Sequence, residues 1–271
     1  MFGMKTNYHT HTVWCDGRNT PEEVVVSAMG KGFGVLGFSS HSTFPDDSAC
    51  TVPAARLPEY FAEVRGLASK YSDRIKILCG VEADYIPGIT DPDRSRYAEF
   101  APDYIIGSVH YVIAPDGSRV PVDHSPELLQ EGISRCFGGD VESYLRTYFA
   151  QEREMVERFD FDIVGHPDLC RKFNEKHAYF DERADWYIEE LKRTADAFAA
   201  SGKLVEVNTG AISRGWLDDA YPSATFRDML RERGVRFVLN SDSHSADTLD
   251  CAFDRFGAAE DFVQLPVDTC I

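Results

Sequence analysis

Short apolar segments alternate with amphipathic patterns along the whole chain. Strands this short and apolar are typical of a parallel sheet that is covered on both faces. The alternation predicts an α/β fold, either a β/α barrel or a doubly wound sheet. Seven segments fit the strand pattern, namely Lys5 to Tyr8, Val35 to Ser39, Ile75 to Val81, Tyr104 to Ser108, Phe161 to Val164, Leu204 to Val207 and Phe237 to Leu239.

The intervening segments carry helix signals. A threonine, proline and glutamate capping sequence that begins at Thr20 predicts a helix to about Met29. Asp181 is expected to cap another helix that ends near Gly202, because apolar residues recur there at spacings of three and four. Similar amphipathic patterns predict helices at Leu57 to Tyr71, Val141 to Phe159 and Ala224 to Arg233.

Nothing in the sequence pattern divides the chain into separate domains. We find no internal repeat and no low-complexity linker, so a single domain over residues 1–271 is expected. The main irregularity is at residues 111–140, which are rich in Pro, Asp and Gly and include the turn signal Pro115-Asp116-Gly117. This stretch is expected to be a long loop insertion after the fourth strand, with a functional or mobile role.

Composition narrows the class of protein. With 43% hydrophobic and 27% charged residues, the chain has the balance of a soluble globular protein. No apolar run reaches the roughly 18 residues of a membrane-spanning helix, and the N-terminus lacks a signal-peptide pattern. The seven cysteines contain no CxxC pair, which suits reduced thiols. We therefore expect a cytoplasmic protein without membrane association.

Charge restricts the partners. Forty-five acidic residues against 28 basic ones leave a net charge of −17. This charge repels nucleic acid and anionic membrane surfaces, so no nucleic-acid partner is expected. A small phosphorylated substrate would need positive charge close by, and bound divalent metal ions can reverse the local sign. The pattern leaves the oligomeric state open.

Most of the eight histidines follow the carboxyl end of a predicted strand. The carboxyl ends of parallel strands are where barrels assemble active sites from separate loops. A single histidine at a strand end is more often a hydrogen-bonded structural residue, but placement at nearly every strand end is hard to explain by chance. The candidate ligands are His9, His11, His41, Glu82, His110, His166, Asp242 and His244.

The spacing of these residues indicates metal binding. Residues two apart on an extended strand point the same way, so His9 and His11 can reach one ion, as can Asp242 and His244. Imidazole and carboxylate ligands suit zinc, iron or manganese better than calcium. The size of the ligand set predicts two or three divalent ions. His124, on the long loop, is a candidate for substrate contact, and a surface position is expected for His177.

Six ordered segments resemble the motifs of the PHP (polymerase and histidinol phosphatase) superfamily over nearly the whole chain. Within it, the segments from Asp162 to Phe173 and from Asn208 to Gly210 resemble the histidinol-phosphate phosphatase branch. The six segments are Asn7-Tyr8-His9-Thr10-His11, Phe38-Ser39-Ser40-His41, Gly80-Val81-Glu82, Gly107-Ser108-Val109-His110, Val164-Gly165-His166-Pro167-Asp168-Leu169 and Ser241-Asp242-Ser243-His244.

The resemblance implies a distorted seven-stranded (β/α)7 TIM-like barrel with a trinuclear metal centre. Glu82 would bridge two of the metals. Carried over by motif, the first metal takes His9, His11, Glu82 and Asp242, the second takes Glu82, His110 and His166, and the third takes Asp16, His41 and His244.

The activity that the resemblance implies is phosphomonoester hydrolysis, with L-histidinol phosphate converted to L-histidinol and phosphate in histidine biosynthesis. A hydroxide bridging two metals would attack phosphorus. Glu82, Asp242 and His244 are the catalytic candidates, and Asp242, His244 or a bound water would give a proton to the leaving alkoxide. Arg171, Arg214 and Arg18 are the candidates for binding phosphate, whereas Lys172 is expected to point away from Arg171.

Two alternatives remain at this point. One is another PHP phosphoesterase that acts on a nucleotide, on DNA ends or on another small phosphate ester. The strong acidity and the lack of a basic aromatic groove oppose a long nucleic-acid substrate. The other is a non-catalytic metal-binding barrel, which predicts gaps in the ligand set, and the sequence has none at the motif positions.

Overall fold

The computed structural model describes residues 4–42, 50–257 and 262–265. Cys270 lies outside these ranges, and the other cysteines are free thiols. The strands are Lys5–Asn7 (β1), Phe33–Phe38 (β2), Lys76–Cys79 (β3), Val81–Asp84 (β4), Ile105–Ser108 (β5), Tyr111–Ile113 (β6), Arg119–Pro121 (β7), Ile163–Val164 (β8), Leu204–Asn208 (β9) and Phe237–Asn240 (β10).

Helices follow most of these strands. The helices of nine or more residues bury one face each against the sheets or a neighbouring helix. All the helices of the described residues are Pro21–Gly30 (α1), Leu57–Lys70 (α2), Pro126–Phe137 (α3), Val141–Arg158 (α4), Asn174–His177 (α5), Asp185–Ser201 (α6), Gly210–Ser213 (α7), Ala224–Glu232 (α8) and Phe253–Gly257 (α9). In the described part of the chain, no helix combines the length and apolar character needed to cross a membrane.

The strands form two parallel sheets and one hairpin. One sheet has the order β1-β2-β3, and the other has the order β4-β5-β8-β9-β10. All pairings within these two sheets are parallel. The outer strands β1 and β10 approach each other at their carboxyl ends, where Thr10 and Ser243 form an isolated parallel bridge. The fold is therefore α/β with parallel sheets, in agreement with the alternation in the sequence.

The single strand predicted at Ile75 to Val81 is two strands, β3 and β4, which separate at Gly80. The Tyr104 ring occupies the space beside this glycine, and a Cβ atom on Gly80 would lie 2.6 Å from the Tyr104 Cζ atom. The Tyr104 hydroxyl donates to the carbonyl oxygen of Tyr8 at 2.5 Å. Packing of this ring explains why the described residues contain two parallel sheets of eight strands, where seven strands were expected.

The helix predictions largely agree with the structure. Helix α1 begins with the predicted capping box, in which Thr20 and Glu23 each bond the other's main chain. The prediction that Asp181 caps α6 is wrong, because this helix begins four residues later and Asp181 accepts from the Arg183 N–H instead. Gly202 ends α6 with φ of 69°, as its position predicts.

Residues 111–140 differ from the expected long loop. They contain the antiparallel hairpin of β6 and β7 and the helix α3. Val112, Val120 and Ile133 are buried, so the insertion packs against the rest of the protein. Three-residue strands are too short to give a clear periodic signal, which is why the turn residues dominated the prediction.

The strands separate two apolar clusters. The larger cluster packs the helices against the sheets, and the smaller one, which includes Tyr8, Tyr104 and Leu204, lies on the opposite, inner face. Side chains alternate along a strand, so Glu206 and Asn208 of β9 continue the inner face that Leu204 begins. This inner face is apolar at the start of the strands and polar at their carboxyl ends.

Gly80→Ala tests the contact that separates β3 from β4. The added methyl group must displace the buried Tyr104 ring, so we expect the free energy of unfolding to fall by about 1–3 kcal/mol. Urea unfolding followed by circular dichroism measures the change. Gly66→Ala is the matched control, because Gly66 is exposed within α2 and its Cβ would meet nothing within 4 Å. The control should gain about 0.5–1 kcal/mol, and equal effects of the two changes would contradict the packing argument.

Candidate metal centre

The carboxyl ends of the parallel strands bring every predicted ligand residue to one place. His9 and His11 follow β1, and His41 follows β2. Glu82 lies within β4 and is fully buried. The remaining predicted ligands lie beyond the ends of β5, β8 and β10 or in the turn after β1, and they are His110, His166, Asp242, His244 and Asp16.

One oxygen of Glu82 faces three histidines. Its Oε2 atom lies 3.0 Å from His9 Nε2, 3.0 Å from His41 Nδ1 and 3.4 Å from His11 Nε2. The Oε2 atom of Glu82 and the Nε2 atoms of His9 and His11 are buried and have no hydrogen-bond partner among the described residues. Buried polar atoms left this way are costly, so their convergence indicates a site for a ligand that accepts their lone pairs.

The second oxygen of Glu82 faces the other side of the centre. Its Oε1 atom lies 3.0 Å from His166 Nε2 and 3.6 Å from His110 Nε2, and the Ser108 hydroxyl donates to it at 2.7 Å. The two carboxylate oxygens of Glu82 therefore face two different groups of histidines. This is the arrangement that a carboxylate bridging two metal ions requires.

Asp242 completes the first group. Its Oδ1 atom lies 3.3 Å from His11 Nε2 and 3.7 Å from His9 Nε2. The residue has φ of 48°, a left-handed conformation that is uncommon for non-glycine residues and more accessible to aspartate than to most. Arg214 donates to Asp242 Oδ2 at 2.8 Å and so holds the carboxylate in this orientation.

A further group lies at the outer side of the centre. Asp16 Oδ2 is 3.1 Å from His244 Nε2 and 3.9 Å from His41 Nε2, and Asp16 Oδ1 is 3.5 Å from His11 Nδ1. The rings of His11 and His244 stack with centroids 4.1 Å apart. Burial and the charges of His244 and His41 lower the pKa of His11 to about 3, so its imidazole is neutral, which is the form that binds metal.

Asp84 is a member of the site that the sequence analysis missed. Its Oδ1 atom accepts from His110 Nδ1 at 2.6 Å, and Asp84, His110 and His41 have ligand atoms within 4.8 Å of one another. Burial opposes a charge on His110, but Asp84 and Glu82 raise its pKa to about 10. The available signal was the spacing of two residues from Glu82 along β4, which places both carboxylates on the same face.

Glu206 is the other missed residue, and it lies beneath His9. The Nδ1–H of His9 donates to Glu206 Oε2 at 2.9 Å, and the His166 main-chain N–H donates to Oε1 at 2.7 Å. Asn208 and Asn240 donate to the same carboxylate at 2.7 and 2.8 Å. Because a proton on Nδ1 leaves a lone pair on Nε2, Glu206 orients His9 toward the centre. An acidic residue in the otherwise apolar predicted strand from Leu204 to Val207 was the available signal.

These observations fit a divalent metal. The described residues contain several groups of three or more ligand atoms that lie within 4.8 Å of one another. Neutral imidazoles and carboxylates are the ligands that zinc, iron and manganese share. The hydrogen bonds of His9 to Glu206 and of His110 to Asp84 are the outer partners that metal-binding histidines commonly have.

The centre opens into a cavity of about 630 Å³. Of the three predicted phosphate-binding arginines, Arg18 and Arg214 line the cavity. Arg171 does not, because its buried guanidinium donates to Glu182 at 2.7 Å and lies 3.6 Å from Asp168. The neighbouring Lys172, which was not among the predicted phosphate-binding residues, lines the cavity instead and bonds Asp123. His124 also lines the cavity.

The parallel α/β fold and the clustered histidines and carboxylates at its strand ends define a metal-binding protein of the β/α class. The chain belongs to the PHP domain family, which matches residues 7–210. A relative from Deinococcus radiodurans named probable histidinol-phosphatase is 31% identical over 242 residues, which are 87% of this chain and 85% of that protein. The resemblance to the histidinol-phosphatase branch is thereby confirmed.

Solved structures share the fold. A Listeria monocytogenes protein assigned as the histidinol phosphatase hisK has a TM-score of 0.82 at 21% identity, over 93% of this chain and 100% of that one. Histidinol phosphate phosphatase from Lactococcus lactis, complexed with Zn, L-histidinol and phosphate, has a TM-score of 0.62 at 22% identity. That match covers 89% of this chain and 87% of the Lactococcus protein. At such identities the likeness establishes the fold.

Glu206→Gln tests the support beneath His9. All the partners of this carboxylate are hydrogen-bond donors. The amide N–H group of glutamine would therefore face another donor, and His9 would lose the hydrogen bond that fixes its orientation. We expect zinc affinity to fall by about 10- to 100-fold. Competition with a chromophoric chelator measures the affinity.

Glu190→Gln is the matched control for that change. Glu190 is also buried, but its partners are Arg146, Arg153 and Arg193 on the helical layer. This control should lower the unfolding temperature without changing zinc affinity. An unchanged zinc affinity in Glu206→Gln would mean that this carboxylate only stabilises the fold.

Proposed function

We propose that the protein is a metal-dependent phosphomonoesterase that hydrolyses L-histidinol phosphate to L-histidinol and phosphate, a step of histidine biosynthesis. The observation that carries this proposal is the buried Glu82 carboxylate, whose two oxygens face two groups of histidines. The 31% identity to a relative named probable histidinol-phosphatase supports the choice of substrate. The complete ligand set at the motif positions argues against a non-catalytic barrel.

Three divalent ions, drawn from zinc, iron and manganese, would occupy the centre. Glu82 would be shared by the first and second ions. The first ion would be held by His9, His11, Glu82 and Asp242, the second by Glu82, His110 and His166, and the third by Asp16, His41 and His244. Asp84 would orient His110 through the 2.6 Å hydrogen bond to its Nδ1 atom.

The architecture behind this centre would be a distorted seven-stranded barrel in a single domain. In that description β3 and β4 count as one strand bent at Gly80. The bridge between Thr10 and Ser243 brings β1 beside β10, and the bridge between His41 and Glu82 joins the ends of β2 and β4. Such an arrangement gathers ligands from all strand ends around one axis.

The reaction requires an activated water, positive charge beside the phosphate oxygens and a proton for the leaving group. When bound, the metal ions supply Lewis acidity and an activated water. Arg18 and Lys172 offer positive charge to the phosphate oxygens, which is the larger part of catalysis in phosphoryl transfer. Arg214 does so as well while it keeps Asp242 in place.

The leaving alkoxide needs a proton. His244 is the better placed of the two candidates, because its side chain is 27% exposed to the cavity and its Nε2 atom lies 3.1 Å from Asp16. While its Nε2 atom holds the third ion, this imidazole would have no proton to give there, and a bound water would serve in its place. Asp242 is the weaker candidate, since its Oδ2 atom accepts from the Arg214 guanidinium and its Oδ1 atom faces His11.

A panel of phosphate esters tests the choice of substrate. The protein is stripped with a chelator and reconstituted separately with zinc, manganese or ferrous iron. We expect kcat/KM for L-histidinol phosphate to exceed that for p-nitrophenyl phosphate and for a nucleoside monophosphate by at least about 100-fold. Equal values for all esters would disprove the substrate assignment and leave phosphoester hydrolysis intact. Preferential cleavage of the nucleotide would favour the alternative PHP activity.

Glu82→Gln tests the shared ligand. A neutral amide cannot bridge two cations, so kcat should fall to background and the metal content should drop by at least one ion per chain. Inductively coupled plasma mass spectrometry of the dialysed protein measures the metal. Full activity with unchanged metal content would overturn the multinuclear proposal.

A further inference from the structure

An ion pair lies in the wall of the cavity beside the metal centre. Lys172 Nζ donates to Asp123 Oδ2 at 2.9 Å and to the Asp123 carbonyl oxygen at 2.8 Å. Both residues line the cavity, with side chains 11% and 26% exposed. Neither residue belongs to the ligand groups described above.

Both partners are anchored to segments that carry proposed ligands. The Val122 N–H donates to the His110 carbonyl oxygen at 2.9 Å, which fixes the segment containing Asp123. Lys172 follows a short 3-10 turn at Leu169–Arg171, just after His166. The pair is therefore held at a set position relative to the histidines, and its side chains can reach a molecule bound there.

The charge of Asp123 needs an explanation. Of the acidic side chains that line the cavity in the described ranges, Asp16, Glu82, Asp84 and Asp242 all face histidines of the centre. Asp123 faces a lysine instead. Its contact of 2.9 Å with the Lys172 ammonium group favours the ionised carboxylate. A negative side chain is thus present where an anionic phosphate ester must bind.

We propose that this ion pair opens when substrate binds, with Lys172 turning to the phosphate and Asp123 taking the ammonium group of the substrate. L-Histidinol phosphate carries that ammonium on the carbon next to the ester methylene, so it presents one positive and one negative group a few bonds apart. The inference rests on the proposed function, and it names Asp123 as the residue that selects amino-alkyl phosphates.

The exchange explains how an acid can sit in a phosphate site without opposing binding. When an ester with both charges binds, the pair of Lys172 with Asp123 is lost. Two pairs form in its place, one between Lys172 and the phosphate and one between Asp123 and the ammonium group. An ester that lacks the ammonium draws Lys172 away and leaves Asp123 unpaired and partly desolvated, which is costly. A site built for a polar group rejects analogues without it more strongly than an apolar pocket rejects a missing methylene.

The test compares L-histidinol phosphate with 3-(imidazol-4-yl)propyl phosphate, which differs only in having hydrogen in place of the ammonium group on that carbon. The wild-type protein should prefer L-histidinol phosphate by at least about 100-fold in kcat/KM. In Asp123→Asn, kcat/KM for L-histidinol phosphate should fall by about 10- to 100-fold, mainly through KM. The analogue should be cleaved as well as before or better, so the preference collapses.

Two further variants separate recognition from other roles. Lys172→Met should lower kcat/KM for both esters while the preference for the ammonium remains. Asp228→Asn, a change at an exposed acid on α8, should alter neither value. Metal content and unfolding temperature are measured for every variant, so that a general loss of structure is recognised.

A binding measurement on the unaltered protein covers the case in which Asp123→Asn does not fold. With saturating inorganic phosphate present to draw Lys172 away, L-histidinol should inhibit the wild-type enzyme at least about 10-fold more strongly than 3-(imidazol-4-yl)propan-1-ol does. Equal inhibition by both alcohols would overturn the inference, as would a folded Asp123→Asn that keeps the wild-type preference. A wild-type protein that cleaves L-histidinol phosphate no better than p-nitrophenyl phosphate would instead refute the proposed function itself.

Discussion

The Glu82 carboxylate is a full negative charge without exposure to solvent, and imidazole rings surround both of its oxygens. Burying such a charge alone would cost several kcal/mol, so it persists only where cationic or hydrogen-bonding groups meet it. Those groups come from different strand ends, and Ser108 of β5 adds a hydroxyl. The two parallel sheets must therefore bring their carboxyl ends together around β4, and this requirement links the fold to the chemistry.

A second buried carboxylate, Glu206, supports the first from below. Its donors come from β9 and β10 and from the segments after β1 and β8. Asn240 also accepts from the Tyr8 N–H at 2.8 Å, so this polar layer joins the outer strands. The layer lies between the apolar inner cluster and the proposed ligands. A network with every partner satisfied is rigid, which keeps the imidazoles oriented before any ion arrives.

The sequence predicted the positions of the proposed ligands because all of them except Glu82 follow the carboxyl end of a strand, and strand ends can be recognised locally. It did not reveal the roles of Asp84 and Glu206, since each depends on a histidine from another strand. Likewise, the sequence favoured Arg171 over Lys172 as the phosphate contact, whereas Lys172 lines the cavity, because a short turn decides which of two neighbours faces inward. Gly80 shows the same limit, since its effect on the sheet depends on the ring of Tyr104, the residue that directly precedes β5.

Charge pairing in the cavity bears on how an acidic protein can bind phosphate. With a net charge of −17, the chain as a whole repels a phosphate dianion. Two cations in the cavity wall, Arg214 and Lys172, are already paired with Asp242 and Asp123. The pairing reduces the positive charge that these two side chains can offer to an anion. Bound divalent ions add the positive charge that the side chains lack, so phosphate affinity should depend on metal occupancy rather than on the arginines alone.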